Sequence, residues 1–231
     1  TEISSLDSTR YNIYIFPLFT IGFPIMSEKN TDEYYTVSSQ PVSSEIKVND
    51  SKFIAHVFHV LNKHQAESVY SNIKRKYYNA THNCFAYRIS ADDFRYSDDG
   101  EPSGTAGLPL YKLLEHKNLS QTILIVTRFF GGTKLGTGGL IRAYTNAALD
   151  ALNKTKIETK IRYVTLTAET SYENMNILFD LVNKYSGIIG KTEYAEKISI
   201  CLQIPTTKFA EFNKNILAYS DSGIVIIDKD N

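Results

Sequence analysis

The chain has 231 residues, enough for two modest domains or one large one, and its 42% hydrophobic content is ample for real cores. Lys and Arg number 25, as do Asp and Glu, so the molecule as a whole has no bulk attraction to nucleic acid or membrane. Charge is unevenly spread, however: residues 1–45 hold 2 basic and 6 acidic side chains, residues 46–150 hold 13 and 9 with all five histidines, and residues 151–231 hold 10 of each. A mildly basic middle is the natural place to meet an anion. Two cysteines, Cys84 and Cys201, are too few for a disulfide framework or a zinc site and read as reduced thiols of a cytoplasmic protein.

Residues 1–33 read as an N-terminal extension, disordered or not native, with Met26 and its polar followers resembling a protein start. Within it, the apolar stretch 11–25 contains Pro17 and Pro24 and is shorter than the roughly 20 residues needed to span a bilayer. It also lacks the cleavage site of a signal peptide, so no membrane partner is expected.

Regular patterning begins near Glu45. Residues 52–60 (KFIAHVFHV) read as a strand, and Asn62 stands three residues before Gln65 in a capping-box-like start. Ala66, Val69, Tyr70, Ile73 and Tyr77 then mark one face of a helix over about 65–78. Residues 81–89 (THNCFAYRI) read as a strand, and Pro109 opens a short helix to about 117. The run 122–130 (TILIVTRFF) has the composition of a strand covered on both faces. A glycine loop at 131–139 leads into a helix over about 140–153, with Leu140, Tyr144, Ala147, Ala148 and Ala151 on its buried stripe.

The charged segment 154–160 lacks apolar periodicity and marks a domain boundary. Beyond it the order is strand (162–169), helix (172–185), strands (187–194 and 197–205), helix (206–219) and strand (223–228). That is the β-α-β-β-α-β order of a ferredoxin-like domain. The fold class is therefore α+β with two domains, at 34–153 and 160–229.

The glycine loop carries the most chemical information. Gly131, Gly132, Gly136, Gly138 and Gly139 are five of the chain's 12 glycines. Such a loop exposes backbone N–H groups, and a helix N-terminus adds partial positive charge. Arg128 precedes it, Lys134 lies inside it and Arg142 follows, which together make a phosphate or carboxylate cradle. Close packing at a glycine-rich corner is the competing reading. Thr137 stands where a Walker motif needs lysine, and no G-x-G-x-x-G is present, so nucleotide hydrolysis is disfavoured.

Asp98, Asp99 and Glu101 form an acidic loop. It reads as a turn satisfying local N–H groups, as an ion-pair clamp on the basic loop, or less favourably as part of a magnesium shell. His82 and Asn83 open a strand, and Cys84 shares a face with His82 without a third orienting group, so no catalytic residue is assigned. Ser103 and Thr105 are candidate hydroxyls without an evident partner. No metal or cofactor is implied.

The segments SKFIAH (51–56), THNCFAY (81–87), DDGEPSGTAGLP (98–109) and TRFFGGTKLGTGGLIRAY (127–144) resemble the IMPACT family, in particular its bacterial YigZ-like branch. The resemblance implies a first domain similar to domain IV of elongation factor G and a second similar to that factor's domain V. Its motif positions here are His82, Asn83, Asp98, Asp99, Glu101, Arg128, Gly131, Gly132, Lys134, Gly136 and Arg142. Eukaryotic relatives regulate translation through a protein partner, using a further domain this chain lacks. For the bacterial type the implied partner is RNA or the ribosome. A binding protein of that kind is the leading expectation. The alternative is an enzyme acting on a phosphorylated or carboxylated small molecule, with Arg128 and Lys134 holding the anion and His82 as acid or base. A protein-interaction regulator of translation is the third.

Overall fold

The computed structural model describes residues 32–229, so the apolar stretch 11–25 and Met26 lie outside the described residues. The first part of the chain runs β1 (Glu33–Val37), β2 (Val42–Val48), β3 (Ser51–His59), α1 (Lys63–Lys76), β4 (His82–Arg88), β5 (Phe94–Ser97), α2 (Gly107–His116), β6 (Thr122–Phe129) and α3 (Gly136–Asn153). It continues as β7 (Ile157–Ile161), β8 (Tyr163–Thr170), α4 (Met175–Lys184), β9 (Ile188–Tyr194), β10 (Ile198–Pro205), α5 (Thr206–Leu217) and β11 (Val225–Lys229).

Five strands form an antiparallel sheet in the order β2-β3-β6-β4-β5. Strand alternation sends Phe53, Ala55, Val57, Cys84, Ala86, Leu124 and Val126 to one face, where α2 and α3 cover them. Phe85, Tyr87, Ile123 and Ile125 face the other way, under α1. Cover on both sides is why β6 reads as an unbroken apolar run. Asn62 caps α1 by accepting from Gln65 N at 2.9 Å, while Gln65 Oε1 reaches back to Leu61 N at 2.7 Å. The reciprocal cap therefore closes one residue earlier than the capping-box pattern places it.

The second sheet has the order β11-β8-β10-β9, antiparallel throughout. Its core, including Leu166, Ile198, Ile200 and Leu202, lies under α4 and α5 with Leu178, Val182, Phe212 and Ile216. This is the ferredoxin-like order that the sequence predicts.

Residues 154–160 differ from expectation. Ile157–Ile161 is a strand, pairing antiparallel with β1 from Glu33↔Ile161 to Val37↔Ile157. This pair is held by backbone bonds, which charged side chains do not prevent. Next to it, Asp32 Oδ1 accepts from Thr207 N at 2.7 Å and so caps α5, whose own N-cap residue Pro205 supplies no side-chain bond. Arg162 donates to Ser120 Oγ at 3.2 Å and lies over the Tyr34 ring.

His56 is buried on the α1 side of β3 against Phe58 and Tyr77, and its Nε2 has no hydrogen-bond partner among the described residues. Burial, reinforced by the charge of Lys76, lowers its pKa from 6.5 to about 4. The unfolded chain therefore takes up a proton before the folded one does. Stability falls as pH drops from about 6.5 to about 4 and is then level with respect to this group, a loss on the order of 3 kcal/mol. His56→Phe keeps a ring and removes the titration. Urea-unfolding midpoints at pH 7 and pH 4.5 are expected to show a smaller acid loss in the variant; equal losses would mean that the imidazole titrates freely.

Candidate functional site

The acidic loop, the glycine loop and the start of β4 converge at one end of the five-stranded sheet. His82 stands directly across from Arg128 in the β4–β6 register. Both lie on the α2/α3 face, since Cys84 and Val126, two residues along each strand, are in that core.

Each acidic residue is engaged internally. Asp98 Oδ1 accepts from Ala106 N at 2.9 Å and Gly107 N at 2.8 Å, and its Oδ2 accepts from Gly104 N at 2.9 Å. It therefore satisfies the first amides of α2. Asp99 Oδ2 accepts from Asn83 N at 2.7 Å and its Oδ1 from Lys74 Nζ at 3.0 Å. The Asp99 carbonyl is 2.8 Å from His82 Nδ1, and because a carbonyl only accepts, that nitrogen carries a proton. Glu101 is buried, with Oε1 accepting from Arg128 Nη1 and from the Tyr144 hydroxyl, both at 2.7 Å. Its Oε2 faces His82 Nε2 at 3.9 Å. Among the described residues no group of three or more His, Cys, Asp or Glu is placed to hold a metal.

Arg128 is thus placed differently from the cradle expectation. Its side chain is only 6% exposed, paired with Glu101, and lies between the Phe53 and Phe130 rings. It supports the site from beneath and does not stand beside Lys134 and Arg142 as a third exposed cation. Asn83 is likewise internal, accepting from Thr127 Oγ1 at 2.8 Å. The Thr105 hydroxyl is taken by the Pro102 carbonyl at 2.6 Å. Cys84 donates to the Asp98 carbonyl at 3.0 Å and meets the Tyr144 hydroxyl at 3.4 Å. Burial pushes both the Cys84 thiol and the Tyr144 hydroxyl far up, so neither is an ionised nucleophile.

The glycines divide by role. A Cβ on Gly131 would lie 2.1 Å from the Asp50 carbonyl carbon, so this glycine is needed for close approach of the β2–β3 turn. Gly132 and Gly136 have φ of 95° and 71°, which other residues rarely adopt. α3 starts at Gly136, four residues before the position that apolar periodicity predicts, so Gly136, Gly138 and Gly139 form its first turn. Its N-cap residue Leu135 makes no side-chain cap, no other side chain among the described residues bonds the amides of that turn, and no acidic residue lies in it. Lys134 and Arg142 are exposed, and Arg142 Nη1 is 3.6 Å from where a Gly138 Cβ would stand.

Residues 49–152 match the Impact N-terminal domain. The chain is 31% identical over 196 residues to an IMPACT family member of Haemophilus influenzae, covering 83% of this chain and 95% of that protein. The chain belongs to the IMPACT family. It is 27% identical to the family member YigZ of Escherichia coli, over 84% of this chain and 98% of that one. It is 45% identical to YvyE of Bacillus subtilis over 122 residues, a match covering 52% of this chain and 56% of that protein. A solved structure of a hypothetical protein superposes with a TM-score of 0.62 at 25% identity, covering 85% of this chain and 97% of that chain.

The IMPACT domain match contains every candidate residue from His82 to Arg142. Three contributors escaped sequence reading. Ser51 accepts from Gly131 N at 3.2 Å and meets Arg128 Nη2 at 3.4 Å. Tyr144 was legible only as core, although a buried phenol needs a partner for its hydroxyl. Phe130, adjoining the loop, looked like the end of a buried strand but is 46% exposed.

Removing Arg128 leaves the Glu101 carboxylate buried without its counter-ion, which typically costs about 3–5 kcal/mol. Arg128→Leu is expected to lose stability in that range by urea denaturation. Adding Glu101→Gln, which keeps an acceptor for Tyr144, is expected to restore part of it. A double variant as unstable as the sum of its singles would show that the pair is not coupled.

Proposed function

We propose that this IMPACT-family protein binds RNA or the ribosome, in a role in regulating translation, and that the first turn of α3 with Lys134 and Arg142 holds a backbone phosphate. The observation that carries the reading is a contrast between two helices that begin at the same end of one sheet. The N-terminal amides of α2 are satisfied by Asp98, whereas among the described residues no side chain bonds those of α3, which sit beside exposed cations. An uncapped helix start with positive φ glycines before it is suited to an external anion. Pairing of Glu101 with Arg128 and of Asp99 with Lys74 offsets part of the repulsion that would otherwise oppose a phosphate. The relation of the family's eukaryotic members to translational control supports the cellular role. Two free thiols accord with work in the cytoplasm. Among the described residues no helix is long and apolar enough to cross a membrane.

A second reading, an enzyme acting on a phosphorylated or carboxylated small molecule, draws on the approach of His82 to Glu101. With Cys84 and Tyr144 held protonated and Arg128 turned inward, this reading rests on His82 to move a proton. Binding is the reading we favour.

Lys134→Ala and Arg142→Ala are each expected to weaken retention of RNA in filter binding. Each should also reduce the slope of log affinity against log salt by about 0.7, the value for one phosphate of a single strand. Parent-like slopes and affinities in both variants would remove the anion site.

A further inference from the structure

A phosphate site by itself suits duplex and single-stranded nucleic acid alike, whereas an exposed ring beside it suits only unpaired bases. Phe130 immediately precedes the glycine loop and is 46% exposed, although β6 ahead of it is buried from Thr122 to Arg128. Its backbone is fixed, because Phe130 N donates to Thr81 Oγ1 at 3.0 Å. Its ring lies 5.4 Å from the Arg128 guanidinium, whose position is in turn set by Glu101. An aromatic ring is thus held against a buried cation while nearly half of the residue faces solvent.

The surroundings are cationic and aromatic. Thr81 N donates to the Arg128 carbonyl at 2.9 Å, which ties the turn after α1 to the end of β6. That turn carries Tyr78, 85% exposed, two residues after Lys76, which closes the basic last turn of α1 with Arg75 and the Asp99-paired Lys74. Lys52 sits over Phe129 at 5.0 Å on the opposite face of the same sheet end. Exposed rings interleaved with cations match what unpaired nucleotides offer, a π-face and a phosphate for each unit. A duplex presents phosphates but keeps its base faces stacked, and a free anion has no face to stack.

We propose that Phe130 is a platform on which an unpaired base stacks, so that the ligand of the α3 site is single-stranded RNA, with Tyr78 as a second stacking position. This rests on the phosphate reading of the glycine loop and narrows it. The base lies on Phe130 while a neighbouring phosphate meets Lys134, four residues along the chain. Arg128, unable to reach the ligand, acts by holding the ring.

The chain contains no tryptophan, so Phe130→Trp places a single reporter on the platform. A single-stranded oligoribonucleotide is expected to quench its emission saturably, and a duplex of equal length to quench it little. Leu61→Trp, 58% exposed at the far end of β3, is expected to remain unquenched. By fluorescence anisotropy, Phe130→Ala should bind the single strand about 5- to 150-fold more weakly with its salt slope unchanged, as loss of one stacked base implies. Lys134→Ala should change that slope. Binding that responds to Lys134→Ala but not to Phe130→Ala, with no quenching at residue 130, would overturn the stacking proposal and leave the phosphate site standing. Failure of the parent to bind either RNA would overturn both. Equal quenching by duplex and single strand would overturn the preference for unpaired bases.

Discussion

The Glu101 carboxylate is 3% exposed and is stabilised there by Arg128 and by the Tyr144 hydroxyl. Removing a carboxylate from water costs several kcal/mol unless its partners are well placed, so these three side chains constrain one another. The constraint reaches across the domain. Glu101 belongs to the loop after β5, Arg128 to the end of β6 and Tyr144 to the third turn of α3, so one ion pair and one hydrogen bond fix three separate elements. With Glu101 inward, Asp98 is placed to satisfy the start of α2, and Asp99 to bond Asn83 N and Lys74. The negative charge of this loop is spent on holding the fold, and the cations left at the rim are those not required for it.

Much of this was legible from residue patterns. The ferredoxin-like order of the second domain followed from clean alternation in 197–205 and from amphipathic helices on either side. The glycine loop, its cations and the family resemblance were read directly, and membership in the family stands. Two kinds of feature were hidden. One is pairing through the backbone alone: β7 and the edge strands β2 and β5 bury too little side chain to impose a period, and β1, though partly buried, is only five residues long. The other is side-chain direction at the end of a doubly covered strand. In TILIVTRFF the apolar run erases the period-2 signal, so Arg128 could not be told from an exposed cation nor Phe130 from a buried ring. Register supplies the answer, since Arg128 faces His82 across β4 and β6.

The β1–β7 pair has a consequence for the whole chain. β1 also touches the first domain, through Tyr35 beside Leu119 and Ser120 N donating to the Tyr35 carbonyl at 2.8 Å. At its start, Asp32 caps α5 in the second domain. The segment leading from α3 to β8 is therefore clamped to a strand rather than left as a free tether. Helix capping, usually local, here fastens one sheet unit to the other.

Why α3 should begin inside its glycine loop then has a physical answer. Gly136, Gly138 and Gly139 are poor helix formers, and a first turn built from them without a cap is unfavourable by local propensity. What compensates is tertiary: Leu140, Ala143, Tyr144 and Ala147 are buried against the sheet, and the Tyr144 hydroxyl is drawn to Glu101. The helix is anchored from its second turn onward, which leaves the first turn free of any packing role. A turn so placed, exposed, without side chains over most of its amides and carrying the dipole of an 18-residue helix, departs from the local rules that the rest of the domain obeys. Under the proposed function, the anion that binds there is what makes use of that departure.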